Sequence, residues 1–108
     1  MNAEDDQKEI EEWRRRIDDL DGRLLELLNE RTRCAQAIGV VKRRLGRKIY
    51  DPDREFAIVA RAVAANPGPL RHDAVKRLFE RILDESRRVE RVESDASAPG
   101  SNDHKEKS

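Results

Sequence analysis

The stretch from position 10 to 45, IEEWRRRIDDLDGRLLELLNERTRCAQAIGVVKRRL, decides the fold because apolar residues recur through it at heptad spacing. This apolar stripe consists of Ile10, Trp13, Ile17, Leu20, Leu24, Leu27, Cys34, Ile38, Val41 and Leu45. The rhythm predicts one continuous helix, which would be roughly 54 Å long at 1.5 Å per residue. A compact chain of this size has a radius of gyration of only about 13 Å. We therefore expect a second copy of the chain to cover part of the stripe.

Arg31 stands in this stripe where the spacing calls for another hydrophobe. A guanidinium in a buried seam needs an anionic partner, either a ligand or a structural glutamate, because an unpaired buried charge is costly. Lys42 follows eleven residues later on the same face of the helix, roughly 16 Å along the axis. The two cations therefore leave space for a small dianion between them. Arg14 is turned away from that face and reaches the same ligand only from a second copy. The alternative for Arg14 and Lys42 is that they are ordinary flanking charges of a coiled coil.

Composition limits what a chain of 108 residues can do. Lys and Arg (23) balance Asp and Glu (23), so no global field favours nucleic acid or an anionic membrane. The first seven residues are polar and acidic, unlike a signal segment, and no apolar run is long enough to cross a bilayer. The single cysteine, Cys34, lies on the stripe, where a buried structural thiol is expected. These features predict a cytoplasmic protein.

Helix start and stop signals divide the rest of the chain. Gly46 ends the first helix, and Gly39 inside it marks a close approach of another helix.

Asp51 and Pro52 are typical of an N-cap followed by proline at the first helical position of a second helix, with Glu55 placed as a capping-box acid. The sequence Asn-Pro-Gly-Pro at 66–69 ends this second helix. Its predicted inward residues are Phe56, Val59 and Val63.

A third helix is predicted from about Arg71 to Val92. Its apolar face consists of Val75, Leu78, Phe79, Ile82, Leu83 and Val89. From Glu93 onward no apolar period remains, which indicates a disordered polar tail. The prediction is an all-α domain over 1–93, with three helices and a very long first one, followed by a tail over 94–108.

Two polar residues border the apolar face of the third helix. Ser86 occupies a position where the period asks for a hydrophobe, and a serine there usually bonds to its own helix. Glu90 lies one turn beyond it and, taken alone, is a solvated residue. At the start of the second helix, the preference of a first helical turn for negative charge explains Asp51 and Glu55, but it does not explain Arg54.

Taken together, these residues resemble the all-helical AroQ class of chorismate mutases in its compact stand-alone form. The resemblance runs from about Arg14 to Glu90. Its pieces are Arg14-x-x-Ile17-x-x-Leu20-Asp21, Leu24 to Leu28, Glu30-Arg31, Gly39-x-x-Lys42, Asp51-x-Asp53-Arg54-Glu55, and Leu78-Phe79 through Ile82 to Ser86. No single piece is specific, but the ordered set is.

The resemblance implies a function, an assembly and a set of site residues. The function is the rearrangement of chorismate to prephenate, and the assembly is an intertwined homodimer that shares its long first helices. Arg14 of the partner subunit and Arg31 would hold the two substrate carboxylates, and Lys42 would donate to the ether oxygen and a carboxylate. Arg54 and Glu55 would contact the substrate backbone and ring hydroxyl. Asp51 would border the pocket, and Ser86 would touch a carboxylate.

Glu90 is the one departure from the commonest family pattern, which has glutamine as the second donor to the ether oxygen. A carboxyl group donates only when protonated, so the resemblance implies a role for Glu90 at modestly acidic pH. The reaction itself is a [3,3] pericyclic shift that needs no nucleophile, so no metal or cofactor is expected. Catalysis would come from holding the compact substrate conformer and stabilising charge on the breaking ether bond.

Two other functions compete with this interpretation. One is an isochorismate pyruvate lyase on the same fold, although the acidic segment from Asp51 to Glu55 is more similar to the mutases. The other is a non-catalytic helical dimerisation or nucleic-acid module, suggested by the basic residues at 42–44 and 47–48. The balanced charge and the low aromatic content of the chain, 4%, disfavour it.

Overall fold

The computed structural model describes residues 2–96, which form three helices: α1 (Ala3–Leu45), α2 (Pro52–Ala65) and α3 (His72–Ala96). These residues contain no strand, and none of their helices is long and apolar enough to span a membrane. The predicted all-α fold with a very long first helix is confirmed. Helix α3 continues to Ala96, beyond its predicted end at Val92. The rest of the predicted polar tail, 97–108, lies outside the described residues.

The chain divides into two units, Met1–Arg33 and Cys34–Ser108. In the first unit the described residues form the N-terminal part of α1, whose start is capped by Asn2: its Oδ1 accepts from the Asp5 amide at 2.8 Å. The apolar stripe of this unit is solvent-exposed, because the unit contains no second element to cover it. Its exposed members are Ile10, Trp13, Ile17, Leu20, Leu24 and Leu27.

The second unit contains the end of α1 together with α2 and α3, and α2 packs along α3. Its small core consists of Ala35, Val75 and Leu83, each at most 6% exposed. Gly39 is buried against α3: a Cβ at this position would lie 2.7 Å from the carbonyl oxygen of Glu90. The missing side chain therefore allows the two helix backbones to meet, as the sequence predicted.

The turn after α1 is a Schellman motif. Gly46 has a positive φ of 68°, the Arg47 amide donates to the Lys42 carbonyl at 2.9 Å, and the Gly46 amide donates to Arg43 at 3.2 Å. The predicted helix stop at Gly46 is confirmed. This turn sends the chain back past the last turn of α1.

Helix α2 begins as predicted, with Asp51 as its N-cap and Pro52 as its first residue. The Asp51 side chain accepts from the Arg54 amide at 3.2 Å. The capping-box role predicted for Glu55 is wrong, because Glu55 is the fourth helical residue and not the third. Its carboxylate instead accepts from Arg87 on α3.

Several residues predicted to face the interior are exposed in the single chain. Phe56 on α2 is 77% exposed, Leu78 on α3 is 53% exposed, and Cys34 is exposed as well. The periodicity correctly marks the apolar side of each helix. No described residue of the same chain covers these positions, so an apolar side is not by itself a buried one.

Candidate functional site

Among the described residues of the second unit, the most buried ion pair joins Lys42 on α1 to Glu90 on α3. The ammonium nitrogen Nζ of Lys42 lies 2.9 Å from Oε1 of Glu90, and the two side chains are 17% and 12% exposed. The same ammonium donates to the carbonyl oxygen of Ile49 at 2.7 Å. Two of the three ammonium donors are thus engaged by described residues, and these contacts fix where the third one points.

Local structure explains why these groups meet. Gly39 lets the backbone of α3 lie directly against α1 next to Glu90, and Lys42 follows on the same helix three residues later. The Schellman turn at Gly46 then brings the Ile49 carbonyl back to the Lys42 ammonium. Because the pair is mostly shielded from water, salt screens its attraction less than that of a surface pair.

A second group of charges lies at the start of α2. Asp51 and Arg54 are exposed there and are joined by the capping hydrogen bond. Glu55 is 20% exposed on its side chain, and its Oε2 accepts from Nε of Arg87 at 2.7 Å. The beginning of α2 is thereby tied to the middle of α3.

Arg87 is a residue of this region that the sequence analysis missed. Its guanidinium also donates to Asp84, and its Cζ atom lies 5.4 Å from the ring centroid of Tyr50. The hydrogen bond to Glu55 raises the pKa of Arg87 above its ordinary value, in spite of the opposing effect of burial. The only sequence signal was Asp84 three residues earlier, which is equally typical of a solvated pair on a helix surface.

An open groove with a volume of about 1010 Å³ runs between α2 and α3. Most of its lining is apolar, and its charged members include Glu55, Asp84 and Arg87. The lining residues are Tyr50, Pro52, Glu55, Phe56, Val59, Ala60, Val63, Ala64, Lys76, Glu80, Leu83, Asp84 and Arg87.

The remaining candidate residues are distributed over both units. Arg14 and Arg31 belong to the first unit; Arg14 is 67% exposed with Glu11 at 3.9 Å, and Arg31 is partly buried. Ser86 is partly buried on α3 in the second unit. The structure thus brings the side chain of Lys42 to that of Glu90 and joins Asp51 to the backbone amide of Arg54, while the roles of all eight candidates toward a substrate stay predictions.

Comparison with known proteins agrees with the fold. The family model described as chorismate mutase type II matches residues 13–91. A chorismate mutase structure from Thermus thermophilus superposes with a TM-score of 0.75 at 36% identity, covering 76% of this chain and 93% of that one. The fold is therefore of the all-helical class represented by that chorismate mutase structure. The chain belongs to the chorismate mutase type II family.

The curated relatives are mostly longer proteins. A bifunctional chorismate mutase/prephenate dehydratase of Pseudomonas aeruginosa is 42% identical over 83 residues, which are 72% of this chain and 23% of that protein. A chorismate mutase of Methanocaldococcus jannaschii is 37% identical over 54 residues, which are 50% of this chain and 54% of the relative. The chain thus spans about a quarter of the length of the bifunctional relative.

Proposed function

We propose that this chain is an isomerase that rearranges chorismate to prephenate, a step of aromatic amino acid biosynthesis. The observation that carries the proposal is the shielded ammonium of Lys42, held by Glu90 and Ile49, with one donor that no described residue engages. Membership in the chorismate mutase family and the names of the relatives support it.

Lys42 acts on the bond that breaks. As the carbon–oxygen bond of the ether lengthens, negative charge develops on the oxygen, and the third N–H of the ammonium stabilises it. Donors that are already fixed in place need no reorganisation during the reaction, which is where most of their advantage over water arises.

The two substrate carboxylates bind arginines. Arg31 of one chain and Arg14 of the partner subunit supply planar guanidinium groups, which match carboxylates with paired, charge-assisted hydrogen bonds. Holding both carboxylates keeps the dianion in the compact, chair-like conformer in which the reacting carbons meet. This placement of the arginines rests on the family resemblance.

The start of α2 and the middle of α3 complete the pocket. Arg54 contacts the substrate backbone, and Glu55 accepts a hydrogen bond from the ring hydroxyl. Asp51 borders the pocket while it caps α2. Ser86 on α3 donates to a carboxylate.

Glu90 has two tasks in this mechanism. Through Oε1 it accepts from Lys42 and orients the ammonium. In its protonated form it becomes the second donor to the ether oxygen, in the position where most of the family has glutamine.

Two apolar surfaces of the described residues support a homodimer. The exposed stripe of α1 includes Trp13, Ile17 and Leu20, each more than half exposed, and the groove beside Phe56 is also apolar. Contiguous apolar surface of this kind marks an interaction site in a water-soluble protein. In a two-fold dimer the same contact is made twice, so pairing of the long first helices covers the stripe of both copies. The cytoplasmic location predicted from composition belongs to the same proposal.

The test is product identification with purified protein. Incubation with chorismate is expected to yield prephenate, and Arg31→Ala is expected to abolish the conversion while the helical content is retained. Release of pyruvate from isochorismate without formation of prephenate from chorismate would instead identify the lyase on this fold. Inactivity of the wild-type chain toward both compounds contradicts the proposal.

A further inference from the structure

The side chain of Arg87 joins three separate segments of the second unit. Its Nε donates to Oε2 of Glu55 in α2 at 2.7 Å, and its Nη2 donates to Asp84 one turn earlier in α3. The guanidinium also lies over the ring of Tyr50 in the connection between α1 and α2. The side chains of Arg87 and Glu55 are only 29% and 20% exposed. Their contact is therefore better shielded than the ion pairs that the other arginines of α3 make within their own helix.

The surroundings of Glu55 explain why it needs such a partner. Asp51, Asp53 and Glu55 place three acidic groups in or next to the first turn of α2, where the helix dipole favours them. A dianionic substrate bound beside this turn is repelled by those same groups. The positive charge of Arg87 compensates the carboxylate that the proposed mechanism brings closest to the substrate.

The geometry of the contact also sets the direction of the carboxylate. An ionised carboxylate accepts hydrogen bonds on both of its oxygens. Arg87 engages Oε2 through Nε, and because Asp84 and Tyr50 hold the guanidinium from other sides, this contact limits the rotation of the Glu55 carboxylate. Oε1 is the oxygen that Arg87 does not hold.

We propose that Arg87 is a positioning residue: by holding Oε2 of Glu55, it aims Oε1 at the ring hydroxyl of the substrate. The inference rests on the proposed function and adds the determinant by which this site distinguishes a hydroxylated ring from one without the hydroxyl. A lysine at position 87 replaces the planar fork by a single point donor and does this less well.

The experiment compares chorismate with an analogue that lacks the ring hydroxyl. The readout is the ratio of kcat/KM for the two compounds, measured on wild type, Glu55→Gln, Arg87→Met and the control Arg88→Met. Arg88 is the adjacent arginine, 68% exposed and 3.4 Å from Glu85, so its replacement tests the general effect of removing a charge from α3. The wild-type preference for chorismate is expected to fall about tenfold in Glu55→Gln and in Arg87→Met, and to be unchanged in Arg88→Met.

The outcomes separate positioning from a structural role. If Arg87→Met lowers both activities equally and leaves their ratio at the wild-type value, Arg87 only stabilises the fold and the inference is overturned. A wild-type enzyme that does not distinguish the two compounds overturns it as well. A wild-type chain that converts neither compound contradicts the proposed function itself.

A second variant covers the case in which Arg87→Met does not fold. Arg87→Lys keeps the positive charge, and its ratio is expected to lie about threefold below the wild-type ratio, between wild type and Glu55→Gln. A folded Arg87→Lys enzyme with the wild-type ratio overturns the inference.

Discussion

Lys42 and Glu90 are separated by 48 positions in the sequence, yet their charged groups lie 2.9 Å apart. The pair fastens the last turn of α1 to the later part of α3, and both side chains are largely withdrawn from water. A mostly buried ammonium with one remaining donor is a suitable group for stabilising charge on an ether oxygen. Gly39 allows the two helices that carry this pair to approach each other.

Replacement of Lys42 by methionine keeps the apolar stem and removes the donor. The value of kcat for chorismate is expected to fall about a hundredfold or more, the typical loss when one preorganised donor to a developing oxyanion is removed. The matched control is Lys48→Met, at an exposed position that makes no proposed contact with the substrate. A Lys42→Met enzyme that folds and retains half of the wild-type kcat contradicts the role of Lys42.

Replacement of Glu90 by glutamine changes how the rate depends on pH. The donor form of Glu90 is the protonated one, and its population falls as pH rises, so the wild-type rate is expected to fall in the same direction. An amide donates at every pH, so the profile of Glu90→Gln is expected to be flat. Glu93→Gln, a change of the same type on the same helix, is the control and keeps the wild-type profile. A wild-type rate that is constant from acid to alkaline pH argues against Glu90 as a donor.

Gly39→Ala tests the close approach of α1 and α3. Its Cβ would lie 2.7 Å from the Glu90 carbonyl oxygen and 3.0 Å from the Glu90 Cα, and these backbone atoms move only if the helix moves. The free energy of unfolding is expected to fall by about 1–3 kcal/mol, and kcat is expected to fall with it because Glu90 shifts relative to Lys42. Denaturant titration measures the first effect.

Gly22→Ala is the matched control for this substitution, since, apart from the adjacent residues and backbone of its own helix, no described atom lies within 4 Å of the added methyl group. It is expected to stabilise the chain by up to about 1 kcal/mol, through helix propensity alone. Equal effects of the two substitutions would mean that the contact at Gly39 does not control the packing of these helices.

The sequence predicted the features that depend on near neighbours in the chain. Gly46 ends α1 because only glycine adopts a positive φ without strain, and Asp51 caps α2 because its side chain reaches an amide three residues on. Both signals are complete within a few residues, so they can be read without the tertiary structure.

The features that the sequence left open depend on distant residues. Arg87 and Glu55 are 32 positions apart on different helices, and nothing in either segment indicates the other. The apolar period placed Phe56 on the apolar side of α2. It did not show whether the residues that bury this side belong to the same chain or to a second copy. The family resemblance placed Lys42 and Glu90 around one substrate, whereas the ion pair between them emerged only from the structure.

Whether a second copy completes the chorismate mutase site is measured most directly with two inactive variants. Arg14→Ala and Arg31→Ala are purified separately, unfolded together in equal amounts and refolded, and prephenate formation from chorismate is measured. If Arg14 of one copy serves the site that contains Arg31 of the other, each mixed dimer has one intact site, and the mixture recovers about a quarter of the wild-type activity. A refolded mixture that contains mixed dimers but is no more active than its two components contradicts the account.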